Sequence, residues 1–216
     1  MAFIELKQAV YEATMALYHA GLIRMSAGNV SARDDDGHVA ITPGGVLYDR
    51  MSVDDIVIVD LEGNVIEGQH RPSSETPMHT TLLKGLPGCG AVVHTHSIYA
   101  ITFAVLGEAL PPLCTEGLAA RGTVPVARYA PPGTPQAGEV ALEALQATPG
   151  LRAVLLRNHG LVVVAPDLET AWQTAYKVEI HAQITYQARQ LGTPIPLSDE
   201  QIAELFRVYR SVREAR

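Results

Sequence analysis

Two histidines one residue apart, His94 and His96 in Ala-Val-Val-His-Thr-His, carry the sharpest chemical signal in the chain. Residues two apart on a strand project from the same face, so both imidazoles can reach one ion. The run begins apolar and ends polar, as a core strand does where it enters a site. Surface strands also produce His-x-His pairs with no ligand, and the pair alone leaves both readings open. His159 sits between Asn158 and Gly160, flanked by two apolar runs, where Asn and Gly serve a turn and the histidine needs no function. Glu75 follows Pro72-Ser73-Ser74 in the first turn of a helix, a place where a carboxylate also suits the helix dipole. His79, four residues further on the same helical face, competes as a ligand, although packing or support of the ligands fits it better. His181, in Val-Glu-Ile-His-Ala-Gln, reads as a core or interface histidine. His19, His38 and His70 fall at an element end or in polar turns.

Three short segments offer backbone N–H groups and hydroxyls without bulk: Ser26-Ala27-Gly28-Asn29, Thr42-Pro43-Gly44-Gly45 and Pro72-Ser73-Ser74. Glycine lets amides approach an anion closely, and a helix start adds unsatisfied donors and a favourable dipole. Each segment is also an ordinary turn, and Ser73 and Ser74 are ordinary helix caps. No GxGxxG and no GKS or GKT occurs, which argues against dinucleotide-dependent and P-loop chemistry.

These residues must be positioned by a mixture of helices and short strands. Helical spacing runs from 3 to 20, with Phe3, Leu6, Val10 and Leu17 on one side and Gly21 as the stop. Four short strands follow to about residue 67, separated by Asp-Asp-Asp-Gly, Pro-Gly-Gly and Glu-Gly-Asn turns. A helix is predicted over 75–86, a strand over 91–96, a helix immediately after it and a strand near 123–129. The segment Ala-Pro-Pro-Gly-Thr-Pro-Gln-Ala-Gly reads as a loop before a helix over 138–147. Two apolar strands flank His159, and helices over 167–191 and 199–212 end the chain. The fold class is α/β: a single domain over 1–216 with a mixed, mainly antiparallel central sheet flanked by helices.

Composition bounds the rest. A chain of 216 residues with 47% hydrophobic and 18% charged residues is globular and long enough for a substantial core. A net charge of −7 without a dense basic run excludes a nucleic-acid partner, and no apolar run approaches the ~20 residues of a membrane span. The N-terminus lacks a signal-peptide pattern, and Cys89 and Cys114 make no disulfide framework. The expected location is the cytoplasm.

Taken jointly, the segments SAGNVSAR at 26–33, ITPGG at 41–45, PSSE at 72–75, VVHTH at 92–96 and RNHGL at 157–161 resemble the class II aldolase/adducin family in order and spacing. The resemblance spans essentially the whole chain. It implies retro-aldol cleavage of a small phosphorylated sugar, L-fuculose 1-phosphate or a related deoxy ketose 1-phosphate, to dihydroxyacetone phosphate and an aldehyde. It implies one zinc ion per subunit held by Glu75, His94, His96 and His159, with Glu75 also the base. It implies substrate phosphate held by Gly28, Asn29, Ser73 and Ser74, with Ser26, Thr42 and Gly44 nearby. It further implies a four-fold homotetramer with active sites between subunits, and a catalytic Tyr209, which matches a C-terminal tyrosine enclosing the aldehyde part of the substrate.

One position departs from the pattern. Where the aldolases carry a second tyrosine that protonates the aldehyde oxygen, this chain has Thr115 beside Glu116, and a threonine hydroxyl is too weak an acid for that step. His94-Thr95-His96-Ser97 also resembles the pentulose-phosphate 4-epimerases, and the missing tyrosine keeps open a sugar-acid-phosphate decarboxylase or dehydratase. The epimerases carry Asp in place of Glu75 and another Asp near 116–120, where this chain has Glu-Gly-Leu-Ala-Ala. A non-catalytic adducin-like assembly domain is the remaining reading, and retention of all four ligands argues against it.

Overall fold

A computed structural model describes residues 3–214, with side chains through residue 209. In chain order the elements are α1 (Ile4–His19), β1 (Asn29–Arg33), β2 (Val39–Ile41), β3 (Val57–Val59), β4 (Val65–Glu67), α2 (Thr76–Gly85), β5 (Ala91–Thr95), α3 (Ile98–Leu106), β6 (Val126–Ala127), α4 (Pro135–Gln146), β7 (Ala153–Leu156), β8 (Gly160–Ala165), α5 (Leu168–Leu191) and α6 (Asp199–Glu214). The eight strands form one sheet in the order β4-β3-β2-β1-β5-β8-β7-β6. Every pairing is antiparallel except that of β6 with β7. The domain is thus the mixed, mainly antiparallel sheet flanked by helices that the sequence predicts.

The strand sequences follow from burial on both faces. Ile58, Val93, Leu155 and Val163 pack with α1, α3 and α5 on one side. Their neighbours Val57, Val59, Val92, Val154, Val162 and Val164 pack with α2 and α4 on the other. A strand covered on both faces needs a continuous apolar run, as in β3, β7 and β8. Helix α1 turns Val10, Ala13, Thr14 and Leu17 inward at helical spacing, and the chain leaves it through Gly21 at φ +74°. Buried Lys7 on α1 reaches Glu67 of the edge strand β4 at 2.6 Å, tying helix to sheet edge. Helix α5 presents Ala171, Thr174, Ala175, Val178 and Ala182, a stripe of small side chains that lets it lie close on the sheet.

Three boundaries differ from the sequence-based expectation. Helix α4 starts at Pro135, because Thr134 and Pro135 form its cap and first turn; a proline there lacks only a donor that the first turn does not use. The expected strand at 123–129 narrows to Val126–Ala127, flanked by an isolated bridge between Leu110 and Val124. Helix α2 begins at Thr76, so Glu75 is its cap residue rather than a member of its first turn.

Asp167 caps α5, accepting a hydrogen bond from Thr170 N at 2.7 Å. Asp167→Ala is expected to lower stability by about 1 kcal/mol, read as a shift of the urea unfolding midpoint.

Candidate active site and metal centre

The polar ends of three central strands meet at one edge of the sheet. Asn29, which opens β1, pairs in register with His94 near the end of β5. Thr95 pairs with Leu161, and the β7–β8 hairpin places His159 beside them. Asn29, Ser31 and His94 lie on the α2 face of the sheet, out of phase with Val30 and Val93, which pack into the opposite core. The start of α2 then delivers Glu75 to the same spot.

His94, His96 and His159 each offer a ring nitrogen within 4.8 Å of the others'. The Nε2 atoms of His94 and His96 are 3.0 Å apart. His94 Nδ1 is 3.0 Å from the Leu161 carbonyl oxygen. A carbonyl only accepts, so Nδ1 carries the proton and Nε2 turns its lone pair to the site. Burial, then the positive charge that His159 and His96 would carry, holds the His94 imidazolium well below the usual histidine range. Burial and His159 likewise lower His96. Both rings are neutral and able to act as ligands at neutral pH.

Glu75 flanks this triad. Its side chain makes no capping hydrogen bond to its own helix. It turns inward instead, with Oε2 3.0 Å from His94 Nε2 and Oε1 3.5 Å from His159 Nε2. The carboxylate is 5% exposed, and Oε1 is buried without a hydrogen-bond partner. A carboxylate oxygen removed from water without a hydrogen-bond partner is an unfavourable arrangement that a cation relieves. The donor set, three imidazoles and a carboxylate, suits a divalent transition metal and zinc in particular. A second group of acidic and histidine side chains, Asp34, Asp36 and His38, is a turn: Asp34 accepts from His38 N at 2.8 Å and contacts its ring at 3.0 Å.

Gly160 owes its identity to space. A Cβ there would lie 2.5 Å from Thr95 O, 2.8 Å from His94 Cε1 and 3.2 Å from His96 Cδ2. The turn itself needs only Asn158, which takes the left-handed φ of 57°. The two residues that the sequence assigns to one turn therefore do different things.

The three anion-loop segments also converge. Pro43 bridges to Pro72, Gly44 N donates to Arg71 O at 2.9 Å, and Ser73 N donates to Thr42 O at 3.0 Å. Gly28, at φ +89°, has no room for a Cβ, which would meet Ile23 and His94 O. Tyr48, which the sequence reading misses, anchors this loop by donating its hydroxyl to Gly28 O at 2.5 Å. Ser26, Gly44 and Ser74 are exposed beside the site, whereas Ser73, Asn29 and Thr42 are buried. Thr42 Oγ1 accepts from Val30 N at 3.2 Å, and Ser73 Oγ accepts from Glu75 N at 3.2 Å. Those two hydroxyl oxygens already accept hydrogen bonds that stitch the site together.

Tyr209 is exposed on α6, and among the described residues no hydrogen bond or ring contact joins it to the histidines. Asp199, Ile202 and Phe206 of α6 face Pro111, Leu118 and Arg121 across a cavity of about 320 Å³. The C-terminal helix thus lies against the segment that carries Thr115 and Glu116. A hydrogen bond from its own backbone, then one from Thr115 Oγ1 at 2.9 Å, lowers the Glu116 pKa.

Gly160→Ala is expected to cost about 1–3 kcal/mol of stability, the range for overpacking a tight site. Gly192, with nothing within 4 Å of a built Cβ and an extended φ of 168°, is the control. Gly192→Ala should stay within about 0.5 kcal/mol, and paired urea unfolding curves compare them.

The profile of the Class II Aldolase and Adducin N-terminal domain matches residues 8–186. A 5-deoxy-D-ribulose 1-phosphate aldolase of Bacillus thuringiensis serovar kurstaki is 38% identical over 187 residues, 86% of each chain. An L-ribulose-5-phosphate 4-epimerase of Salmonella paratyphi B is 37% identical over 209 residues, 90% of each chain. The solved structure of an L-fuculose 1-phosphate aldolase superposes with a TM-score of 0.89 at 34% identity, covering 95% of this chain and 96% of its own. With these relatives and this sheet, the chain belongs to the class II aldolase and adducin family.

Proposed function

We propose that this protein is a zinc-dependent aldolase that splits a small ketose 1-phosphate into dihydroxyacetone phosphate and an aldehyde. The observation that carries the proposal is the buried, unpartnered Glu75 Oε1 beside the three-histidine cluster, next to loops that present amides and hydroxyls. His94, His96, His159 and Glu75 are the proposed ligands. A divalent ion held there would supply positive charge against the negative charge that develops when the carbon–carbon bond breaks. Gly28, Asn29, Ser73 and Ser74, with Ser26, Thr42 and Gly44 around them, are the proposed phosphate cradle. Ser74 is exposed, and the Ser73 hydroxyl, whose oxygen accepts from Glu75 N, keeps its proton free to donate to the phosphate.

The retro-aldol step breaks the bond between C3 and C4. The C4 hydroxyl passes its proton through water to the Glu75 carboxylate and becomes the aldehyde oxygen, while the bonding electrons pass to the three-carbon fragment. Glu75 then returns a proton to C3 of that fragment, releasing dihydroxyacetone phosphate. The proposal assigns Tyr209 to the aldehyde end of a neighbouring subunit's site within a four-fold homotetramer, a role that its exposure on α6 supports. The cytoplasm is the proposed location.

The second reading is a 4-epimerase, favoured by the 37% identical Salmonella relative and by the absence of a tyrosine at Thr115. One assay separates the two. The protein is incubated with L-fuculose 1-phosphate, 5-deoxy-D-ribulose 1-phosphate and L-ribulose 5-phosphate, with dihydroxyacetone phosphate trapped as it forms. The aldolase reading predicts that a ketose 1-phosphate yields trapped product. It also predicts that His96→Ala loses bound zinc and more than about a hundredfold of the rate. Interconversion of the pentulose 5-phosphates without trapped product would establish the epimerase instead.

A further inference from the structure

We infer that His79 is a positioning residue: from within α2 it fixes which end of the Asn29 carboxamide faces Glu75, and thereby holds that carboxylate with Oε1 open to a cation. The inference rests on the reading of Glu75 as a metal ligand.

A chain of three hydrogen bonds carries it. Ser31 Oγ is 2.6 Å from His79 Nδ1, and His79 Nε2 is 2.6 Å from Asn29 Oδ1. Asn29 Nδ2 donates to Glu75 Oε2 at 3.4 Å, the longest link. The direction of the chain is set by its ends. Asn29 turns its NH₂ group toward the Glu75 oxygen that accepts from it and its Oδ1 toward His79. That oxygen only accepts, so His79 carries its proton on Nε2. His79 is fully buried, and burial lowers its pKa to about 3. The ring is therefore neutral, and its free Nδ1 lone pair takes the hydroxyl proton of Ser31, itself 0% exposed. Every link points from the sheet interior toward Glu75.

Packing alone does not require this chemistry. An apolar side chain of similar volume would fill the same space between α2 and β1. It would leave the Ser31 hydroxyl and Asn29 Oδ1 buried without their partner, and the carboxamide would be free to rotate by half a turn. The reversed amide sets an oxygen against the Glu75 carboxylate, which pushes it out of its present orientation. Support of this kind from behind a ligand typically changes metal affinity by about 10–100-fold. The register of the sheet makes the device possible: Asn29 and Ser31 are two apart on β1 and share the face that His79 meets.

The test titrates metal-free protein with Co²⁺ and follows the absorption bands of the bound ion. His79→Leu and Asn29→Ala are each expected to weaken Co²⁺ binding about tenfold or more, with the number of ions bound per chain unchanged. On an Asn29→Ala background, His79→Leu should add little, because both changes cut one chain. His79→Gln, whose side-chain amide can still donate to Asn29 Oδ1, should recover most of the affinity. In the wild-type protein, long-range ¹H–¹⁵N correlations should find His79 neutral and protonated on Nε2 without any metal. Wild-type affinity in His79→Leu, full additivity with Asn29→Ala, or a proton on His79 Nδ1 would each overturn the inference, as would a wild-type protein that takes up no cobalt. If the cobalt results hold while no ketose 1-phosphate is cleaved, the proposed reaction fails and the role of His79 stands.

Discussion

The architecture turns on one carboxylate held out of water. Glu75 is 5% exposed, and its Oε1 has no hydrogen-bond partner. A buried ionised group without compensation costs several kcal/mol, so the surroundings of Glu75 must either suppress its charge or meet it. Nitrogen atoms of His94 and His159 lie 3.0 and 3.5 Å from its two oxygens, and Asn29 donates to it from the side. Burial, then the neighbouring rings, holds the His94 imidazolium well below the usual histidine range, and burial with His159 lowers His96. A buried carboxylate oxygen without a partner beside the lowered His94 and His96 is an arrangement that a cation would relieve.

The fold serves that constraint by bringing sequence-distant segments to one sheet edge. Antiparallel pairing of β1 with β5 puts Asn29 opposite His94, and the β7–β8 hairpin turns beside Thr95. Close approach is bought with glycine where two groups compete for the same space, at Gly160 against the imidazoles and at Gly28 against His94 O. Beyond β5, Glu179 on α5 accepts from Tyr99 N at 2.9 Å and Ala100 N at 2.8 Å, capping the start of α3 just after His96. His96 stands outside the sheet ladder, so this cap from a neighbouring helix helps hold the segment that carries it.

Much of this was legible in the sequence, for physical reasons that differ from element to element. Strands β3, β7 and β8 announce themselves because burial on both faces demands unbroken apolar runs. His94 and His96 could be paired from their spacing alone, since a strand puts alternate residues on one face. The start of α4 was misplaced because Thr134-Pro135 reads as loop composition until the proline is seen in the first helical turn. Tyr48 and Glu179 left no local signal, since each acts on a segment far away along the chain. Glu75 and His159 each have an adequate explanation as cap or turn residue, and it is their joint order with the other motifs that made the site readable. Ser31 could have been found as the residue two after Asn29 on the same strand face.

The central claim is that Glu75 and the three histidines close around a single cation. Crystals grown with zinc and measured at the zinc absorption edge test it most directly. The account predicts an anomalous peak about 2.0–2.2 Å from a ring nitrogen of His94, His96 and His159 and from a Glu75 oxygen. A map with no peak there, the imidazoles instead hydrogen-bonded to water or to one another and the strongest peak at Asp34 and His38, would contradict it.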